Sequence, residues 1–123
     1  MHRHTGILKQ SYRCFFSKSS KIGPSDFFKF SEEVSENLCK GNPVVALEST
    51  LITHGLPYPE NLRTACRLEA IVRENKVTPA TIGIIGGKVH IGMNLNELGA
   101  ISLKNKNLLK ISRRDLPFVL SKI

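Results

Sequence analysis

Glu48 is the first carboxylate after a short apolar run, Val44 to Leu47, and is followed by Ser49, Thr50, Thr53 and His54. The run is uncharged and partly β-branched, as a buried strand of a parallel sheet reads, although four residues alone do not exclude a helix. Gly55, Pro57 and Pro59 then break regular structure before the next helical pattern. In open α/β sheets, ligands bind beyond the carboxyl ends of the strands. A carboxylate placed there, half in an apolar wall, is expected to have its neutral form favoured by desolvation, as a general acid needs. Glu48 could instead pair with a buried arginine or cap a helix, and the spacing leaves these readings open.

A second cluster lies near the end of the chain, in Lys110-Ile-Ser-Arg-Arg-Asp-Leu-Pro-Phe-Val119. Lys110, Arg113 and Arg114 beside a strand end make a candidate anion site. Arginine offers a planar fork and lysine a point charge, which together suit phosphate. The competing reading pairs Arg113 or Arg114 with Asp115 or with Glu48, and both stay open. Gly86-Gly87 could let a phosphate or another backbone approach closely, but it lacks the spacing of a phosphate-binding loop, so a β-turn is the default. His54 and His90 have no partner at metal-ligand spacing, and no metal site is expected within this chain.

The elements that must position these groups follow from periodicity. Asp26 to Lys40 reads as a helix starting at either Asp26 or Ser31. Ser31 followed by Glu32 and Glu33 suits a helix N-terminus, while Phe27, Phe30, Val34 and Leu38 favour the longer version. Gly41 ends it. Pro59 and Glu60 open a second helix, with Leu62, Ala65, Leu68 and Val72 on one face, Arg63, Arg67 and Arg73 exposed, and Glu69 paired with Arg73 at i,i+4. Asn75 and Pro79 end this helix. Thr81 to Ile85 and Lys88 to Ile91 are predicted strands on either side of Gly86-Gly87. Asn94-Leu-Asn-Glu97 has the outline of a capping box, opening a helix to about Ser102. A polar loop, Lys104 to Asn107, leads to a fourth short strand, Leu108 to Ile111. This order indicates an α/β fold with a mainly parallel sheet. The chain stops just as a further helix should begin, so an incomplete domain is expected.

With 123 residues, 41% hydrophobic and 23% charged, the chain allows one small globular domain. No run of about 18 apolar residues is present, so no membrane-spanning helix is expected. Cys14, Cys39 and Cys66 are odd in number and widely spaced, which points to a reducing compartment rather than a disulfide framework. The net charge of +8 is unevenly spread: residues 1–25 carry five basic and no acidic side chains, +5, leaving 13 basic and 10 acidic, +3, in the other 98. A basic tail of this kind is not a basic stripe on a folded surface, so no nucleic-acid partner is expected. Residues 1–25 have the composition of a mitochondrial transit peptide, and Arg13-Cys-Phe-Phe-Ser resembles the sites at which such presequences are cut. The alternatives are a disordered basic tail and a cytoplasmic protein. Residues 26–123 form the domain proper.

Three longer segments carry a resemblance. Pro43-Val-Val-Ala-Leu-Glu-Ser-Thr-Leu-Ile-Thr-His-Gly, Pro79-Ala-Thr-Ile-Gly-Ile-Ile-Gly-Gly and Ser112-Arg-Arg-Asp-Leu-Pro-Phe-Val, in this order, are similar to the N-terminal part of the pseudouridine-5′-phosphate glycosidase family. The resemblance covers about residues 31–120. It implies an α/β/α domain, of which this chain holds the opening part. The activity it implies is reversible cleavage of the C–C glycosidic bond of pseudouridine 5′-phosphate, giving uracil and ribose 5-phosphate. It further implies a homotrimer and a divalent metal, usually Mn2+, and in some animals a sugar-kinase domain joined to it. The family opens the ribose ring and holds C1 as an imine on a lysine, a covalent electron sink. Glu48 matches the family's proton donor and Lys110 a substrate-binding lysine; giving Arg113 or Arg114 to the phosphate is our own inference. The imine-forming lysine and the metal-binding aspartate belong further along than Ile123, and Lys122 stands in the wrong motif to replace them. The chain alone is therefore expected to be inactive. The alternative from another class is a catalytically dead fragment that docks on full-length subunits, followed by a basic nucleic-acid-binding protein.

Overall fold

The computed structural model describes residues 24–103 and 108–121. The transit-peptide reading of residues 1–25, the Lys104–Asn107 loop and Lys122 lie essentially outside them. In chain order the elements are α1 (Pro24–Phe27), β1 (Phe28–Phe30), α2 (Glu32–Lys40), β2 (Val44–Leu47) and a π-helical turn (Leu51–Gly55). They continue with α3 (Glu60–Glu74), β3 (Thr78–Ile85), β4 (Lys88–Ile91), α4 (Leu95–Ser102), a 3-10 turn (Arg113–Asp115) and α5 (Leu116–Leu120). The four strands are ordered β1-β4-β3-β2. β1 runs parallel to β4 and β2 parallel to β3, while β3 and β4 form an antiparallel hairpin. This is the expected mixed α/β fold with a mostly parallel sheet.

The long first helix is corrected by the structure. Ser31 is extended (φ −66°, ψ 154°), accepts the Val34 N–H on its hydroxyl and donates its own N–H to Ile91 O. The helix therefore starts after Ser31, and Phe28 to Phe30 pair with Val89 to Ile91 instead. The spacing of Phe27, Phe30, Val34 and Leu38 reads as helical, but Phe28 and Phe30 share one side of a three-residue strand, with Lys29 exposed between them.

Pro79 does not end α3; it lies buried inside β3. Thr78 donates to Pro43 O on the β2 side, so the Pro79 nitrogen faces the other way. There β4 gives no partner, because its pairing begins at Ile82. A missing N–H is tolerated at such a place. The Leu108–Ile111 strand does not form either: this segment pairs with no strand among the described residues. β2, expected to be buried, is an edge strand here, with Val45 38% exposed because only β3 covers its flank.

Ile52, Ala65, Met93, Leu98 and Ile101 form the core beneath the sheet, with Leu62 and Ile85 against them. On α3 the deepest residues are Asn61 and Ala65, whereas Leu68, read as part of the apolar face, is exposed. Arg73 is held mainly by Glu33 of α2, a bidentate pair with Glu69 only at 4.0 Å. Gly86 and Gly87, at φ 57° and 73°, make the two-residue turn between Ile85 and Lys88, since both central positions of such a turn need positive φ. Cys39 and Cys66 are free thiols. Among the described residues, no helix is long and apolar enough to cross a membrane.

Glu97 joins three elements. It completes the capping box of α4, accepting the Asn94 N–H at 2.9 Å, and its other oxygen meets Lys29 Nζ and His90 Nδ1, each at 2.9 Å. Burial pushes its pKa up, but the Lys29 hydrogen bond, the Asn94 N–H and the neighbouring His90 together outweigh this and hold it below its usual value. A carboxyl whose folded pKa is depressed stabilises the fold above its unfolded pKa and loses that contribution as pH falls through the folded value. Urea midpoints of the wild type are thus expected to fall below about pH 4.5, with a shallower dependence in Glu97→Gln; equal slopes would contradict this.

Candidate functional site

The C-terminal end of β2, the π-helical turn, the β3–β4 hairpin and the segment 108–119 enclose a cleft of about 830 Å³. Leu47, Ile82, Ile84, Val89 and Ile101 give it an apolar floor. Among the described residues its charged lining is Glu48, Lys110 and Arg113, two cations and one carboxylate. Such a balance suits an anion held beside a group able to exchange protons.

Glu48 leaves the strand and folds back on the next turn. One carboxylate oxygen accepts the Thr50 N–H at 2.9 Å. Hydrogen bonding from the Thr50 side chain, then from its N–H, holds the Glu48 pKa below its usual value, with burial opposing and the Lys110 charge and the Leu51 N–H adding smaller contributions. The desolvation expected from sequence does not prevail: Glu48 is exposed and favoured as a carboxylate. Of the competing readings, the capping one describes its contacts best, because it satisfies the first N–H groups of the turn. It forms no pair with an arginine among the described residues.

The turn itself presents hydroxyls to the cleft. Thr53 Oγ1 donates to Ser49 O at 3.1 Å and meets His54 Nδ1 at 2.7 Å. Ser49, Thr50 and Thr53 line the cleft together with Glu48, and Gly86 and Gly87 line it too, so this hairpin turn is both a β-turn and part of the cleft.

Lys110 and Arg113 line the cleft from the segment 108–119; Arg114 is not among its lining residues. Neither arginine pairs with Asp115. That carboxylate instead takes the Ser112 N–H at 2.6 Å and the Ser112 hydroxyl at 2.8 Å, contacts which hold its pKa low and close the 3-10 turn. Asp115 is thus occupied by Ser112, and Arg113 lines the cleft without it as a partner.

The residue that sequence reasoning missed is Asn61, only 1% exposed. Its Nδ2 donates to Ile52 O at 2.8 Å and to Ser102 O at 2.7 Å, and its Oδ1 accepts the Leu62 N–H at 2.8 Å. Its spacing of four from Ala65 was the available signal, placing it on the buried face of α3. No three His, Cys, Asp or Glu side chains among the described residues come together to hold a metal. With Glu48 the sole carboxylate of the cleft, the residues described do not by themselves fit a manganese site, and no chemical step is assigned to a metal here.

Residues 33–123 match the family model described as indigoidine synthase A like protein. The chain belongs to this family. A curated relative, the pseudouridine-5′-phosphate glycosidase of Caldanaerobacter subterraneus subsp. tengcongensis, is 57% identical over 96 residues, covering 78% of this chain and 31% of the relative. Among solved structures, the prealnumycin C-glycosynthase AlnA in complex with ribulose 5-phosphate is 36% identical with a TM-score of 0.66, over 77% of this chain and 30% of that one. An indigoidine synthase A-like protein from Thermotoga maritima is 30% identical with a TM-score of 0.68, over 86% and 33%. The chain thus spans about a third of the length of the relatives it matches. All three segments that carried the family resemblance begin or lie within the matched region, and two of them, those at Pro43 and Ser112, supply Glu48 and Arg113 to the cleft.

Proposed function

We propose that these residues form the opening third of a pseudouridine-5′-phosphate glycosidase domain. The supporting observation is one cleft that joins Glu48 to Lys110 and Arg113 in a chain whose curated relatives carry that name. In the proposed reaction the C–C bond between C1 of the ribose and C5 of uracil breaks. Water supplies the oxygen that ends on C1 and a proton that ends on uracil, giving uracil and ribose 5-phosphate.

Glu48 is the proton carrier in this reading. Because the open cleft favours its carboxylate, it must take up a proton before it can deliver one to the ring oxygen or to the leaving uracil. Lys110 and Arg113 hold the 5′-phosphate, and Arg114 serves that phosphate only after moving toward the cleft. The imine-forming lysine and the metal-binding aspartate belong to the rest of the family domain, and the complete protein is a homotrimer that uses Mn2+. The 123-residue chain alone is accordingly proposed to be inactive. The acid-free basic composition of residues 1–25 supports delivery to the mitochondrion.

The test is uracil release by a protein carrying these residues and completed to the family's length. Pseudouridine 5′-phosphate should be cleaved in strong preference to pseudouridine. Lys110→Ala should raise KM about 10- to 100-fold, as loss of one charge-assisted hydrogen bond does. Equal use of the nucleotide and the unphosphorylated nucleoside, or an unchanged KM in Lys110→Ala, would contradict the assignment.

A further inference from the structure

We propose that Asn61 is a positioning residue for the Glu48 end of the cleft: its buried amide clamps the turn Leu51–Gly55 from behind, keeping the Thr50 N–H aimed at the Glu48 carboxylate. The inference rests on the reading of Glu48 as the cleft's proton carrier, but its geometry stands independently of turnover.

A π-helical turn leaves carbonyls without the usual partner four residues on, and a buried carbonyl without a partner is costly. In this turn the closing bond runs from Leu56 N–H to Leu51 O, and Ile52 O is taken by Asn61 instead. Ile52 is therefore held at both ends, its side chain 3% exposed in the core and its carbonyl on Asn61. Two residues earlier stands Thr50, whose N–H reaches Glu48. The second Nδ2 proton binds Ser102 O at the end of α4, the helix that supplies Ile101 to the cleft floor. One side chain thus fixes the turn, the start of α3 and the end of α4 around the cleft. All its hydrogen-bonding capacity but one lone pair is spent on backbone groups of these elements, which is more than burial of a helix position needs.

The test follows the Glu48 carboxyl by ¹³C NMR titration in the 123-residue chain. Asn61→Leu preserves approximate size and removes all three hydrogen bonds. Val34→Ala serves as control, since it loosens the core at α2, away from the turn. The Glu48 midpoint is expected to shift upward toward the ordinary carboxylate value in Asn61→Leu and to stay at the wild-type position in Val34→Ala. A wild-type midpoint in Asn61→Leu, or equal shifts in both variants, would overturn the proposal. Should Asn61→Leu fail to fold, the smaller and still polar Asn61→Ser, which cannot reach both Ile52 O and Ser102 O, is read in the same way: an upward Glu48 midpoint supports the proposal and a wild-type midpoint overturns it. Because Glu48 titration is read rather than uracil release, failure here is distinct from failure of the glycosidase reading.

Discussion

Glu48→Gln, introduced into a protein completed to the family's length, is expected to reduce uracil release about 10²- to 10⁴-fold, the usual contribution of a positioned proton-transfer group. The substitution separates chemistry from architecture. Glutamine keeps the length of the side chain and an oxygen able to accept the Thr50 N–H, so the turn at Leu51–Gly55 retains its shape. What it loses is the ability to take up and return a proton. The loss should fall on kcat, with KM for pseudouridine 5′-phosphate little changed, because Lys110 and Arg113 stay in place. Activity within about twofold of the wild type would remove Glu48 from the chemistry and leave it as the cap of its turn.

The second large effect concerns stability. Gly92 links β4 to α4 at φ +88°, in the left-handed region, and a Cβ there would meet Ser31 Oγ and stand 2.7 Å from Val34 Cγ2. Both neighbours are committed. Ser31 caps α2 through the Val34 N–H, and Val34 is only 1% exposed. Gly92→Ala should therefore destabilise the chain by about 2–4 kcal/mol, combining left-handed strain with overpacking. Urea denaturation measures this, and a midpoint equal to that of the wild type would show that α2 can move away at little cost. The same substitution at Gly86 meets no atom within 4 Å and carries backbone strain alone, so it should be the milder of the two.

The features legible in sequence are those fixed by local chemistry. Asn94 and Glu97 satisfy each other's backbone groups three residues apart, and Gly86-Gly87 supplies the two positive φ values of a tight hairpin. Ser31 is equally local, but the spacing of Phe27, Phe30, Val34 and Leu38 competes with it. That spacing could be resolved only by β4, whose residues lie 61 positions further along than their β1 partners, as in Phe28 against Val89. Pro79 shows the same limit: whether a proline interrupts a strand depends on which side its nitrogen faces, and the sequence does not contain the neighbour. At the site, the order of the three motifs and their family likeness brought out Glu48, Lys110 and Arg113. The ionisation of Glu48 stayed hidden because it is set by how the Thr50 side chain, and then the Thr50 N–H, meet its carboxylate rather than by residue type. Asn61 stayed hidden because its partners are carbonyls, which every residue has.

The most direct measurement is uracil release from pseudouridine 5′-phosphate in the presence of Mn2+, by this chain and by one extended through the remaining two-thirds of the family domain. The account predicts release by the extended protein, loss of that release in its Glu48→Gln form, and none by the 123 residues alone. Release by the 123-residue chain would contradict the view that it lacks part of the catalytic machinery, and no release by the extended protein would contradict the glycosidase reading itself.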